Sequence, residues 1–514
     1  MNILFICHGN ICRSVMAEYI MNSLTDDFNV YSRATTFEEI GNDIYPPAKR
    51  TLERHHIKYG LHQAKRVTNE ELNNSDMILV MDQENMDDIR NKFNYQKGNV
   101  YMLHAFAGTC EEISDPWYSG DFDRAYDEIY ESIVGLIDFL KSDFSRRFIP
   151  FMNQYLVNGC MALITDKDKI IHSTSYGYKY RNKDLINLDT IFKVASISKV
   201  IVALGIMKLY EEGKLDIKDD ISDHLGFKVR NHYYPDVPIT IEMVMTQTSS
   251  LHDCGDGIKG YYGNKCGRIF VSLEDVIMNP ECEYYHEDIF NNTVPGSTYE
   301  YCNLGCGILC CIIEKHSGMI FNEYIKKNIL NPLGIFSGFR VEDYDGALLA
   351  NHYGYRNGKF YLIADYEGFG RMQVNLFSLG NNYCGSAGGL YISPRNLSRI
   401  MMMLMNDGIY DGVRLFKEET MKFMKEVHWQ GDSYDNAYKK KGLQLLILDG
   451  YGKTLRGHFG NANGLRAFML FNEDNGFIFV CNGGNYLSDE EHLTVLLNDV
   501  LRFMTTYILQ EDNK

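Results

Sequence analysis

The sequence is short of cations. Its 514 residues hold 51 lysines and arginines against 68 aspartates and glutamates, a formal charge of −17. The deficit is steepest over residues 1–143, where 13 basic side chains stand against 24 acidic ones, a net of −11. A surface of that sign repels a phosphodiester backbone, which excludes nucleic acid as a partner. Long apolar runs are missing too. No stretch approaches the ~18 to 20 residues that span a bilayer, and the opening Met1-Asn2-Ile3-Leu4-Phe5-Ile6 has neither a basic flank nor a cleavage site. No membrane partner is therefore expected. The 13 cysteines are odd in number and lack paired spacing, the usage of reduced thiols in a reducing compartment, and a cytoplasmic location is expected. Internal repeats, low-complexity tracts and Gly/Ser linkers are also absent.

What remains is a globular chain, 45% apolar, too long for one ordinary core. The division falls at residues 143/144, where a helix ending near Leu140 runs into Phe144-Ser145-Arg146-Arg147 without a spacer. The first unit opens with a continuous apolar run, Asn2 to Ile6, the pattern of a parallel strand buried on both faces, followed by a loop and an amphipathic helix from about Ser14. The loop reads Cys7-His8-Gly9-Asn10-Ile11-Cys12-Arg13-Ser14, and no other cysteine in the chain has an arginine six residues on. Loop N–H groups and the helix start aim positive dipoles at the loop centre, which favours a Cys7 thiolate and cradles phosphoryl oxygens. Arg13 closes the loop with a planar fork for two of those oxygens, and the Ser14 hydroxyl can donate to the sulfur. The blander reading is a buried structural cysteine beside a surface arginine. A leaving phenolate also requires an acid, and Ser114-Asp115-Pro116-Trp117-Tyr118 holds the one Asp-Pro pair. Its ring stiffens the loop under the Asp115 carboxyl, and Trp117 and Tyr118 can wall a flat phenyl group.

From Cys7 through Ser14, then Met81-Asp82 after a buried strand, to Asp115-Pro116-Trp117-Tyr118, residues 1–143 resemble the low-molecular-weight protein tyrosine phosphatases. The resemblance implies a flavodoxin-like parallel sheet with flanking helices. It implies that Cys7 attacks phosphorus, that Arg13 binds the transferring group, that Asp115 protonates the leaving oxygen and then activates water, and that Asn10 braces the loop. Ile11 is the residue of the tyrosine type; arginine phosphatases carry threonine there. Arsenate reductases of this fold relay electrons through further cysteines, and none occurs between Cys12 and Cys110. Cys12 is placed to form a reversible disulfide with an oxidised Cys7 or to serve only as a small loop residue.

Over residues 144–514 the organising stretch is Ser196-Ile197-Ser198-Lys199. Positions i and i+3 share a helix face, so the amine lies beside the hydroxyl it must deprotonate. An isolated match also fits a solvated helix start capped by Ser196. Cys160 to Ile164 and the segment to Tyr180 read as early strands, and a helix runs from Val200 to Glu212 before Gly213. Tyr301-Cys302-Asn303 follows the loop from Pro295 and leads into a helix; His458-Phe459-Gly460-Asn461 comes near the end. Cys302, Cys306 and Cys310 share a helix face, which suits small-residue packing better than a metal. The order and flanks, with Thr246-Gln247-Thr248-Ser249-Ser250-Leu251 and Ser386-Ala387-Gly388-Gly389-Leu390, resemble the serine β-lactamase and penicillin-binding-protein superfamily, its class C and esterase-like branch in particular.

That resemblance implies an antiparallel sheet with a helical cluster, Ser196 as nucleophile, Lys199 and Tyr301 sharing its proton, Asn303 anchoring substrate, and an oxyanion hole from the N–H groups of Ser196 and Asn461. His458 and Gly460 stand where penicillin-recognising members carry Lys-Thr-Gly. Lys453-Thr454 is followed by Leu455 and does not supply that triplet. A neutral histidine holds a carboxylate less firmly than lysine, which favours esters, amides or D-amino-acid peptides over β-lactams. The expectation is a bifunctional α/β hydrolase without metal or cofactor, acting on a phosphotyrosine protein or aryl phosphate and on a small acyl compound. The rival is a phosphatase whose larger domain only binds a ligand. β-Lactamase or D-Ala carboxypeptidase activity, and arsenate reductase or arginine phosphatase activity, are lesser alternatives.

Overall fold

The computed structural model describes residues 1–109, 111–180, 183–253, 271–371, 377–431, 438–462, 464–485 and 495–511; Cys110 lies outside them. The N-terminal unit is a four-stranded parallel sheet of β1 (Asn2–Cys7), β2 (Asn29–Ala34), β3 (Met77–Val80) and β4 (Val100–Met102), in the order β2-β1-β3-β4. Ile3, Leu4, Phe5 and Ile6 are wholly buried because β1 is an inner strand covered on both faces, which is why it reads as an unbroken apolar run. Helix α1 (Arg13–Leu24) begins six residues after β1 ends and lays Val15, Met16, Ile20 and Met21 on the sheet. Parallel strands place their carboxyl ends on one edge. Cys7 pairs with Ala34 and Val80 with Met102, so the loop from Cys7 to Ser14 emerges beside the segment that carries Asp82.

Helix α2 (Phe122–Phe139) closes this unit, and α3 (Asp143–Met152) follows within four residues. The second unit is built on a nine-stranded antiparallel sheet. Its first strands in the chain are β5 (Gly159–Thr165), β6 (Ile170–Tyr180) and β7 (Lys183–Leu185), and its last are β8 (Leu446–Tyr451), β9 (Lys453–Ala462), β10 (Leu465–Phe471) and β11 (Gly476–Cys481), ordered β8-β9-β10-β11-β5-β6-β7 with two short strands beyond β8. Every residue of β5 is buried. The alternation still holds: Met161 and Leu163 enter the helical core with Met469 and Ile478, whereas Cys160, Ala162 and Ile164 enter a second core with Phe468 and Phe479. An antiparallel sheet usually leaves one face to water. Here that face is covered by α3, by the terminal helix Val495–Glu511 and by the N-terminal unit.

Phe144 meets Tyr507 at 5.0 Å and Phe151 stacks on Phe503 at 4.6 Å, joining the two covering helices. The N-terminal unit docks through its edge strand β4: the Met102 N–H donates to the Tyr178 hydroxyl at 2.9 Å, and Tyr101 and Tyr178 lie 6.0 Å apart. At Gly98 a Cβ would lie 2.6 Å from the Tyr176 ring and 2.8 Å from the Val157 carbonyl. The opposite core holds α4 (Ser198–Glu211) and α5 (Asn303–Ser317), both buried on nearly every side. Among the described residues no single helix is long and apolar enough to cross a membrane.

Candidate active sites

In the N-terminal unit the loop folds around the Cys7 sulfur. The Ser14 hydroxyl lies 3.0 Å from Sγ, and the Asn10 N–H donates to it at 3.3 Å. Asn10 adopts the left-handed backbone, φ +58°, which an asparagine tolerates and most side chains do not. Its amide fixes the loop from beneath, donating to Ser14 Oγ at 3.0 Å and Ser32 Oγ at 2.8 Å, while Ser32 donates to Glu18. Burial pushes the Glu18 carboxyl above its ordinary value, against the pull of that hydroxyl. Gly9 leaves space for Glu39, whose Cγ would stand 3.0 Å from a Cβ there, and Ile11 and Cys12 are buried. Burial, with the charge of Cys7 next, raises the Cys12 pKa and keeps its thiol protonated.

Arg13 is 3% exposed and its fork is occupied, donating to Asp82 Oδ2 and to Asp115 Oδ2 at 2.7 Å each. Burial opposes its charge, but Cys7 and the two carboxylates more than offset that and raise its pKa. Asp115 also accepts from the Trp117 N–H at 2.9 Å, which fixes its carboxylate on the turn the proline stiffens. Trp117 and Tyr118 are 52% and 88% exposed; Trp117 leans on Tyr45 at 5.1 Å and Tyr118 stands in solvent beside it.

In the larger unit Ser196 is not a helix cap. It occupies a 3₁₀ turn, Ala195–Ile197, just before α4, and Ala195 is held at φ +48°, a strained geometry for alanine of the kind found at functional turns. The turn is locked by Ser198, whose hydroxyl donates to the Ala195 carbonyl at 2.6 Å and accepts from the Leu390 N–H at 3.0 Å. Ser196 Oγ is hydrogen-bonded to the Tyr301 hydroxyl, and Lys199 Nζ lies 3.2 Å from it. Lys199 is fully buried and donates also to Asn303 Oδ1 at 2.7 Å and the Ala387 carbonyl at 2.9 Å. Asn303 is engaged at its other end by Asp253, which accepts from its Nδ2 at 2.6 Å and its N–H at 2.7 Å. Gly460 brings β9 against the turn: a Cβ there would lie 2.4 Å from the Val194 carbonyl, so Asn461 is brought alongside the Ser196 turn. His458 is 3% exposed, and its Nδ1–H donates to the Phe459 carbonyl at 2.6 Å. Burial, then Lys441 and Lys199, push its pKa well below the ordinary histidine value, so the ring is neutral.

The sequence motifs leave several partners unannounced. Asp82 was visible only as a landmark, and nothing local marks it as an anchor for an arginine 69 residues away. Asp253 sits two residues past Thr246–Leu251 in an unremarkable stretch. Gln247, at φ +64°, accepts from the Cys302 N–H at 2.7 Å and so fixes the approach to Tyr301 and Asn303. Lys441 is wholly buried next to this site, its Nζ 5.3 Å from the Tyr299 ring centre and without a hydrogen-bond partner among the described residues. Burial, then Lys199, pull its pKa down to about 7. The cysteines on α5 are core residues: Cys306 and Cys310 are buried, and the Cys310 thiol donates to the Asn382 carbonyl at 3.2 Å.

Comparison with known proteins finds two families. The family "Low molecular weight phosphotyrosine protein phosphatase" matches residues 2–146 and the family "Beta-lactamase" matches residues 144–500. The low molecular weight protein-tyrosine-phosphatase PtpA of Staphylococcus haemolyticus is 34% identical over 148 residues, 28% of this chain and 95% of that one. Its Staphylococcus aureus counterpart is 32% identical over the same lengths. Among solved structures, the octameric penicillin-binding protein homologue from Pyrococcus abyssi superposes with a TM-score of 0.52 at 24% identity, over 66% of this chain and 72% of that one. The D-amino acid amidase from Ochrobactrum anthropi SV3 does so at 0.53 and 17% identity, over 70% and 95%. At these identities the structural likeness establishes the fold of the larger unit. The chain is thus an enzyme of two hydrolase families joined end to end, a low molecular weight phosphotyrosine protein phosphatase followed by a member of the β-lactamase family.

Proposed function

We propose that the chain is a bifunctional hydrolase with domains at residues 1–143 and 144–514, the first removing phosphate from phosphotyrosine or another aryl phosphate, the second hydrolysing an ester, amide or D-amino-acid peptide. The observation that carries the first half is the Arg13 fork held by two carboxylates and close enough to Cys7 to feel its charge. An incoming phosphoryl group competes for that fork and displaces Asp115, whose side chain is the more exposed of the two, 28% against 14% for Asp82. Released from the guanidinium, Asp115 takes up a proton from solvent and delivers it to the leaving oxygen as Cys7 Sγ bonds to phosphorus and the aryl P–O bond breaks. Water next attacks the phosphocysteine, gives its proton to Asp115, and releases phosphate with the thiolate restored.

The second half rests on the contact of Ser196 Oγ with both the Tyr301 hydroxyl and Lys199 Nζ. Attack of Oγ on a carbonyl passes its proton into this pair; the N–H groups of Ser196 and Asn461 receive the oxyanion, the leaving group takes the proton, and water reverses the steps to free the acid. Asn303, occupied at both ends, orients Lys199. With neutral His458 in place of a cationic lysine, a substrate carboxylate finds no ready anchor on β9, which favours esters and amides over β-lactams.

The test uses the full chain. Cys7→Ser abolishes hydrolysis of p-nitrophenyl phosphate and leaves ester hydrolysis intact; Ser196→Ala does the reverse, and intact-mass analysis after a fluorophosphonate finds one adduct, on Ser196. Phosphatase activity surviving in the Cys7 variant, or no adduct on the folded protein, would overturn the corresponding half.

A further inference from the structure

The carboxyl edge of the parallel sheet is acidic for a place that receives a phosphate. Glutamates from three segments border the Cys7 loop: Glu38 and Glu39 follow β2, Glu84 follows β3, and Glu112 comes just before Asp115. His8, the residue after Cys7, has its Nε2 3.0 Å from Glu38 and its Nδ1 4.0 Å from Glu84, and the two glutamate side chains are 70% and 72% exposed. Glu39 lies against Gly9, and Glu112 accepts at 2.8 Å from the N–H of Gln83, the neighbour of Asp82. Among the described residues none of these four carboxylates pairs with a lysine or an arginine. Cations of this unit are spent elsewhere, Arg33 on Glu71, Lys49 on Asp43 and Arg54 on Asp123.

Such a rim repels an approaching phosphate dianion, so the glutamates oppose a bare monoester unless the rest of the substrate brings positive charge. Arg66 does not supply the balance: its guanidinium is stacked on Phe37 at 4.2 Å and on Phe93 at 4.5 Å, and it donates to the Thr35 carbonyl at 3.0 Å. The loop that carries Glu38 and Glu39 also leaves Phe37 and Ile40 68% and 50% exposed, which sets apolar surface beside negative charge. Lysine and arginine match that combination, because their methylenes lie along apolar side chains while their heads reach the carboxylates. We propose that the rim of the Cys7 site selects phosphotyrosine segments flanked by lysine or arginine; this rests on the reading of Cys7 as the phosphatase nucleophile.

The experiment measures kcat/KM of the full chain for phosphotyrosine peptides of equal length whose flanking positions are all lysine, all alanine or all glutamate, with p-nitrophenyl phosphate as the unflanked substrate. Each exposed ion pair formed with the rim is expected to raise kcat/KM about two- to fivefold, so the lysine peptide should exceed the glutamate peptide by about tenfold or more at low salt. Screening should narrow that gap to about twofold at about 0.5 M salt. Glu38→Gln and Glu84→Gln combined in one chain should cut the lysine-to-glutamate ratio about threefold or more. Equal rates for the two peptides, a preference for glutamate, or a ratio that the double variant leaves unchanged overturns the rim while leaving Cys7 standing. Peptide hydrolysis that persists in Cys7→Ser overturns the nucleophile itself, and turnover of p-nitrophenyl phosphate with none of the peptides overturns the phosphotyrosine segment as substrate.

Discussion

Lys441→Met should stabilise this protein, and by an amount that depends on pH. The amine is fully buried, has no acceptor among the described residues, and lies close enough to Lys199 to feel its charge. Its pKa falls from 10.5 in the free side chain to about 7 in the folded protein. The unfolded chain therefore holds a proton on Lys441 up to pH ~10.5, whereas the native protein holds it only below about 7. Between those values the unfolded state binds more protons, so stability rises with pH across the window. At ~1.4 kcal/mol per pH unit the gap corresponds to roughly 5 kcal/mol at neutral pH. Methionine fills similar space and never charges, which removes the penalty. The advantage of the variant should shrink by roughly 2 kcal/mol from pH 7 to pH 9. Urea denaturation of Trp117→Phe backgrounds reads this directly, because Trp429 then reports alone and lies 6.1 Å from Tyr299, the ring that Lys441 faces. Variant and parent curves that run parallel from pH 7 to 9 would refute the argument.

Three further outcomes are expected. Asp115→Asn should lower phosphatase kcat by about 10² to 10⁴ for alkyl phosphates and far less for p-nitrophenyl phosphate, whose leaving group needs little protonation; equal losses on both would remove Asp115 from the acid role. Asp82→Ala frees one arm of Arg13 and should raise KM for aryl phosphates by roughly tenfold, since Arg13 loses the carboxylate that orients it; an unchanged KM would make Asp82 incidental. Asp253→Ala leaves the N–H groups of Asn303 and Leu304 without their acceptor and should cost about 2 to 4 kcal/mol of stability and most of the ester hydrolysis, with phosphatase activity kept; loss of both activities together would point to misfolding of the whole chain.

Local stretches carried their own geometry. The loop from Cys7 to Ser14 is contiguous, and its dipoles, its left-handed Asn10 and its closing arginine are consequences of neighbouring residues. The same is true of Ser196 and Lys199, three residues apart, although the helix begins only at Ser198 and the serine sits on a strained 3₁₀ turn. The parallel sheet was legible because an inner strand such as Asn2–Cys7 must be apolar throughout. The larger sheet was harder, since an antiparallel strand ordinarily alternates, and Gly159–Thr165 fails to do so only because the first domain and two helices cover its second face.

The sequence by itself thus determined the two local motifs on which the proposed chemistries rest, because a thiol in a loop closed by an arginine and a hydroxyl beside an amine are built from residues close together in the chain. Tertiary structure alone decided what holds them: Asp82 and Asp115 on Arg13, Asp253 on Asn303, the Ala387 carbonyl on Lys199, and the bare amine of Lys441. Each of these joins residues tens to hundreds of positions apart. Which of them meet depends on how the chain returns to itself in packing its cores, and no local pattern of hydrogen bonds or periodicity records that return.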